Sequence, residues 1–186
     1  MSYDKVMSTA THLITAEELT RLDGPYRYEL VKGELLTMPL PGAKHGFVTM
    51  NLSSPIHVHV QMHRLGFVFG AETGFILERN PDTVLGPDIA FVRSDRITTL
   101  PDGYLEMAPE LVVEVISPGQ SRSKIEKKTL QWLEHGALEV WLINPKSRTV
   151  DIRRATGENH ILQEGDEVTG GDLLPGFRLP VSRIFA

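Results

Sequence analysis

The run Glu110 to Ile116, ELVVEVI, constrains the fold more than any other segment. Its apolar residues fall on both faces of an extended chain, so a strand here needs cover on both sides. It therefore predicts a central strand of a sheet sandwiched between layers. One carboxylate interrupts it. Glu114 stands between Val113 and Val115, and an ionised carboxylate is costly to bury unless a cation meets it. Two roles suit such a residue: half of an ion pair with Lys or Arg, or a ligand to a metal ion.

The surrounding pattern supplies the layers. Residues 1–12 read as a loose tail. Thr15 and Glu18 have capping-box spacing, Ile14 and Leu19 have staple spacing, and Asp23-Gly24-Pro25 predicts the helix stop. Tyr28 to Leu36 reads as two short strands turning at Lys32-Gly33. His45 to Arg64 is helical in pattern, with Phe47, Met50, Leu52, Ile56, Val60 and Met62 apolar. Pro55 predicts a kink or split in that helix, and Gly66 its end. Short strands follow at 67–69, 75–77 and 89–92. A further helix is expected from Lys124 to His135, opened by a Ser123–Glu126 capping box and stopped by Gly136. Strands at 139–143 and 149–154 join through Asn144-Pro145-Lys146-Ser147. The segment from Asn159 to Ala186 holds short apolar pieces between Gly and Pro. The order predicts one mixed α/β (α+β) domain over 1–186. A mixed central sheet is flanked by helices and carries an N-terminal strand-rich extension.

The 186 residues contain no cysteine. Disulfides, thiolate zinc sites and thiol nucleophiles are therefore excluded. A net charge of −5 argues against a uniformly basic nucleic-acid coat. No apolar run has membrane-spanning length, and the first residues lack a signal-peptide pattern, so a cytoplasmic protein is expected. Any metal must be held by oxygen or imidazole, which favours Mg2+, with Mn2+ an option. Asp88 follows Pro87 and opens the strand Ile89–Val92. It is either a turn residue or a second carboxylate beside Glu114. On the helix after the central strand, Ile125, Thr129, Trp132 and Leu133 share a face. Lys128 lies at the border of that face with a stem long enough to reach the sheet. Lys127 points to water, and Lys124 lies farther round. Arg122, Lys124 and Lys127 form a basic stretch, which is either a solvated face or a docking place for a phosphodiester backbone. His59 and His63, one turn apart, read as polar helix positions. No glycine-rich phosphate loop or serine nucleophile elbow is present.

Pro87-Asp88, Glu114 and Lys128 together resemble the PD-(D/E)XK nuclease arrangement, in the variant whose lysine sits on the following helix. The standard lysine place, two residues after the acid, holds Ile116. More closely, the chain resembles the Uma2 (Uma-two) family of bacterial restriction-endonuclease-like proteins. The matching segments are YELVKGEL (28–35), His45-Gly46, GAETGF (70–75), PDIAFV (87–92), LVVEVISP (111–118), Lys128 with Trp132, GALEVWLINP (136–145) and LPGFRLPVSRIF (174–185). The resemblance implies a restriction-endonuclease-like core with its site at one end of a bent sheet. It implies Mg2+-dependent hydrolysis of DNA, with Asp88 and Glu114 as metal ligands and Lys128 as the third catalytic residue. Glu29, His45 and Glu72 match family positions. Glu29 would be an outer carboxylate, His45 a partner to a carboxylate or phosphate, and Glu72 a further ligand. A homodimer acting on DNA is expected. Where family members often carry an Asp one turn before the lysine, this chain has Lys124. Ile116 and Lys124 keep a second reading open, a non-catalytic nucleic-acid-binding or oligomeric module on the same fold.

Overall fold

Residue parity along the central strand decides which side chain meets which layer. A computed structural model of the chain describes residues 12–24, 26–71 and 73–186. The elements run α1 (Ala16–Leu19), β1 (Arg27–Val31), β2 (Glu34–Met38), α2 (Ala43–His63), β3 (Gly66–Phe69), β4 (Phe75–Glu78), β5 (Thr83–Leu85) and β6 (Ile89–Arg93). They continue with β7 (Leu111–Val115), α3 (Arg122–Glu134), β8 (Glu139–Asn144), β9 (Thr149–Arg154), β10 (Asn159–Leu162), β11 (Glu167–Gly170), β12 (Leu174–Pro180) and α4 (Val181–Ile184). A six-stranded mixed sheet has the order β10-β9-β8-β7-β6-β3. Within it β7 and β8 are parallel, joined through α3, and the other pairs are antiparallel. A four-stranded sheet, β2-β1-β5-β4, forms the N-terminal extension, and β11-β12 make a hairpin.

Leu111, Val113 and Val115 of β7 point to α2 and pack with Val48, Leu52, Ile56 and Val60. Val112, between them, faces the other way, into the cluster that holds Trp132 of α3. The strand is therefore covered on both faces, as its composition requires. Glu114 has the parity of Val112 and belongs to the α3 side.

Three sequence expectations change. Helix α2 is not split at Pro55 but continues to His63. An interior proline costs about 3 kcal/mol, but Val48, Leu52, Ile56 and Val60 are at most 1% exposed on both sides of it. Each contributes about 1.5–3 kcal/mol of burial, so packing outweighs the break. Of the apolar residues in its pattern, Leu52, Ile56 and Val60 are buried, and Phe47, Met50 and Met62 are exposed. The helix ends at His63 because Arg64 takes the left-handed conformation, φ 53°. Gly66 serves a different need, since a Cβ there would lie 2.1 Å from the Val92 carbonyl oxygen on β6. Finally, α3 begins at Arg122, capped by Ser121, whose Oγ accepts the Lys124 N–H at 3.4 Å. The Ser123–Glu126 box does not form, because the chain reaches a capping serine first.

Other local expectations hold. Thr15 and Glu18 form the reciprocal capping box, although α1 ends at Leu19, before Asp23. Lys32 and Gly33 both take positive φ between β1 and β2, which matches the twist of a tight hairpin. The expected tail lies outside the described residues except for His12, as does Pro25. No helix among the described residues is long and apolar enough to cross a membrane.

Candidate active site

The chain leaves the four-stranded sheet at Leu85 and enters the six-stranded sheet at Ile89. Gly86, Pro87 and Asp88 make that passage, and the charged cluster gathers around it. On the large sheet, Ile89 faces Val113 in antiparallel register. One step further along the ladder, Asp88 stands opposite Glu114. Both carboxylates share the parity that points away from α2's apolar face.

Lys128 closes the arrangement from α3. Its Nζ lies 2.8 Å from Glu114 Oε1 and 2.8 Å from Glu29 Oε1, and donates to the Gly86 carbonyl at 3.0 Å. Thr129 and Trp132 are buried on this helix, whereas Arg122, Lys124 and Lys127 are exposed. Helical phase alone thus selects Lys128, as the sequence indicates. Glu29 comes from β1 and is 4% exposed. Its Oε1 also accepts the Gly86 N–H at 3.0 Å. Trp132, one turn after Lys128, donates Nε1–H to Glu114 Oε1 at 3.0 Å.

Asp88 is held by a separate set. Its Oδ2 accepts the Val115 N–H at 2.7 Å and lies 3.1 Å from His45 Nε2, at the start of α2. Its Oδ1 faces Arg27 Nη1 at 3.9 Å. Arg27 and Glu29 alternate along β1, so one strand face presents both groups to the cluster. That alternation was a readable signal for Arg27, which sequence reasoning missed. The Trp132 role was legible in the same way, from its one-turn spacing after Lys128.

The electrostatics follow from burial and from an uneven charge balance. Burial pushes the Glu114 carboxyl up to about 7; the Lys128 ammonium opposes this, and the charges of Asp88 and Glu29 reinforce it. One ammonium shared by two carboxylates does not neutralise both. Burial also works against the Lys128 ammonium, but Glu114 and Glu29 outweigh it and hold Lys128 protonated, above its ordinary range. Asp88 is likewise disfavoured by burial as an ion. The His45 hydrogen bond and charge, the Val115 N–H and Lys128 outweigh this and keep its carboxyl below the usual range.

Glu72 lies outside the described residues. His59 lies apart from this cluster: its Nε2 is 3.1 Å from the Pro175 carbonyl and its ring meets Phe177 edge-on. Ile116 points to the α3 side, packs against the Trp132 cluster, and leaves the lysine position of the strand to Lys128. Two other buried glutamates, Glu110 and Glu139, pair with Arg96 and Arg154 near the opposite ends of the strands.

Comparison with known proteins points in one direction. The Uma2 family model, described as "Putative restriction endonuclease", matches residues 16–182. Among solved structures, one from Anabaena variabilis, titled as a "putative nuclease belonging to DUF820", superposes with a TM-score of 0.79 at 27% identity. The match covers 92% of this chain and 97% of that one. No curated protein matches the chain.

Proposed function

The chain belongs to the Uma2 family, and from that premise we propose that it is a magnesium-dependent endonuclease hydrolysing DNA phosphodiester bonds. The observation that carries the reading is the position of Lys128. Its ammonium sits between Glu29 and Glu114, beside the strand pair that sets Asp88 against Glu114.

The donor set suits a hard cation. Among the described residues no group of three or more His, Cys, Asp or Glu forms a dedicated cage. Mg2+ does not need one, since it takes one or two carboxylates and keeps several waters. Glu114 Oε1 is occupied by Lys128 and Trp132, and its Oε2 accepts no hydrogen bond from the described residues. Among the described residues Asp88 Oδ1 meets only Arg27, at 3.9 Å. These two oxygens are the ones that would hold the ion. Among the described residues the cluster carries more carboxylates (Glu29, Asp88, Glu114) than permanent cations, which favours a cation there. When bound, Mg2+ or Mn2+ supplies Lewis acidity and a more acidic water.

The protein's own groups do the rest. His45 and the Val115 N–H fix Asp88 through Oδ2 and leave Oδ1 towards Arg27. Trp132 and Lys128 fix Glu114 in the same manner. Lys128, held protonated with its three donors on Glu29, Glu114 and Gly86, acts as a cation that fixes the carboxylates and offsets charge on the phosphate, not as a base. Exposed Arg122, Lys124 and Lys127 flank it on α3 and offer charge to the DNA backbone. The non-catalytic reading rests on the same lysine, because an ammonium with two carboxylate partners also serves as a purely structural link. Plasmid nicking separates the two. The wild type should nick DNA in Mg2+ and stop in EDTA, and Asp88→Ala should lack this activity. A folded wild type that never nicks would favour the binding module.

A further inference from the structure

Beside the carboxylate cluster opens a cleft of about 520 Å³. Tyr26, Tyr28, Tyr104, Met38 and Leu40 give it an apolar, aromatic lining, and Arg27, Glu29 and Gly86 belong to both cleft and cluster. Its volume is in the range that encloses a small planar molecule and is far too small for a helix or a duplex. Tyr26 is 55% exposed and Leu40 72% exposed. Tyr26 meets Tyr28 edge-on at 6.4 Å, so a ring with an open surface lines the same cleft as Arg27, Glu29 and Gly86. Among the described residues that line it there is no lysine, and Arg27 is the sole basic one. The cleft is therefore not a groove for the sugar–phosphate chain, whose charge partners lie on α3.

Resting on the nuclease reading of the adjoining site, we infer that this cleft receives a nucleobase unstacked from the DNA next to the scissile phosphate. A base has an apolar face that stacks on tyrosine and polar edges that seek hydrogen bonds, and the cleft offers both kinds of surface. A base inside a paired duplex cannot enter. Extruding it is costly, and the cost is least where the strand is already single or unpaired. The substrate class is accordingly single-stranded or locally unpaired DNA, and intact duplex is the poorer ligand.

The test is metal-free binding, which needs no cleavage. A single-stranded oligonucleotide carrying 2-aminopurine is titrated with protein in EDTA, beside the same sequence as a duplex. The wild type should bind the single strand more tightly, with a change in 2-aminopurine fluorescence. Tyr26→Ala, an exposed position whose truncation opens no core, should weaken single-strand binding roughly 5- to 100-fold and leave duplex binding unchanged. Tyr26→Phe should retain binding, because stacking needs the ring and not the hydroxyl. Equal affinity for single strand and duplex in the wild type overturns the inference. So does an unchanged Tyr26→Ala, or one that loses both ligands alike. The two readings fail separately. Asp88-dependent nicking with no Tyr26 effect removes the base cleft alone. A Tyr26 effect without any nicking removes the nuclease reading and keeps the cleft.

Discussion

Lys128 Nζ lies 2.8 Å from Glu29 Oε1, which ties the helix on the large sheet to the first strand of the small one. The same nitrogen is 2.8 Å from Glu114 Oε1. One cation therefore joins three elements distant in sequence, and the site doubles as a fold contact.

Removing that cation should cost stability as well as any activity. In Lys128→Met the two glutamates lose their shared partner, and stranding buried charge costs about 3–5 kcal/mol. Urea unfolding at pH 8 should show a loss of this order. At pH 5 the loss should be smaller, because Glu114 then keeps its proton and no longer needs the ammonium. The same loss at both pH values would place the strain elsewhere.

Glu114 gives the apo protein a definite pH trend. Its folded value, about 7, lies above the ordinary value of 4.5. The folded state thus binds the extra proton more tightly than the unfolded chain. Its contribution is fully present below about pH 4.5 and is lost as pH rises through 7. Asp88, shifted downward, loses its contribution only as pH falls below its ordinary 3.8, so the windows do not overlap. Denaturation between pH 5 and 8 without metal should reveal a decline on the order of 1–3 kcal/mol. Glu114→Gln should abolish the decline and cost little at pH 8, since Glu29 keeps Lys128 paired and the amide oxygen still accepts from Trp132.

His45 holds Asp88 Oδ2 at 3.1 Å with both side chains buried. His45→Ala leaves that oxygen with the Val115 N–H alone. The expected cost is about 1–3 kcal/mol, together with metal affinity roughly 10- to 100-fold weaker, as for other residues that orient a ligand. Calorimetry on the folded variant measures both. An unaltered metal affinity would show that His45 supports the fold only.

Neighbouring lysines should separate by mechanism. Lys128→Met should lower the saturated nicking rate roughly 10²- to 10³-fold, the loss expected on removing a positioned group that stabilises developing charge. Lys127, exposed on α3, should affect only affinity, reducing the salt slope by about 1. Equal saturated rates for the two variants would contradict the assignment.

How much of this was legible in the sequence depends on the range of the signal. The doubly apolar run at 111–115 announces its own environment, and Glu114 within it announces a partner. Helical phase selects Lys128 over Lys127 because exposure on a helix is a local property. Pro55 misleads because local propensity cannot register that α2 is clamped to the sheet on both sides of the proline. Phe47, Met50 and Met62 are apolar yet exposed, so apolar residues are not confined to one face of α2 and its pattern does not reveal which face the sheet covers. Strand β5 escapes notice because its three residues are too short to show alternation. The Glu29–Lys128 contact depends on where the two sheets meet, which no local pattern reports. Family likeness alone flagged Glu29 and His45.

The central claim is that Asp88 and Glu114 act as one metal-binding pair. Isothermal titration of Mn2+ into the wild type, Asp88→Ala and Glu114→Ala at pH 7.5 tests it most directly, with folding of each protein checked by circular dichroism. The account predicts binding in the wild type and little or no heat in either variant. Binding of wild-type strength in both folded variants would contradict it.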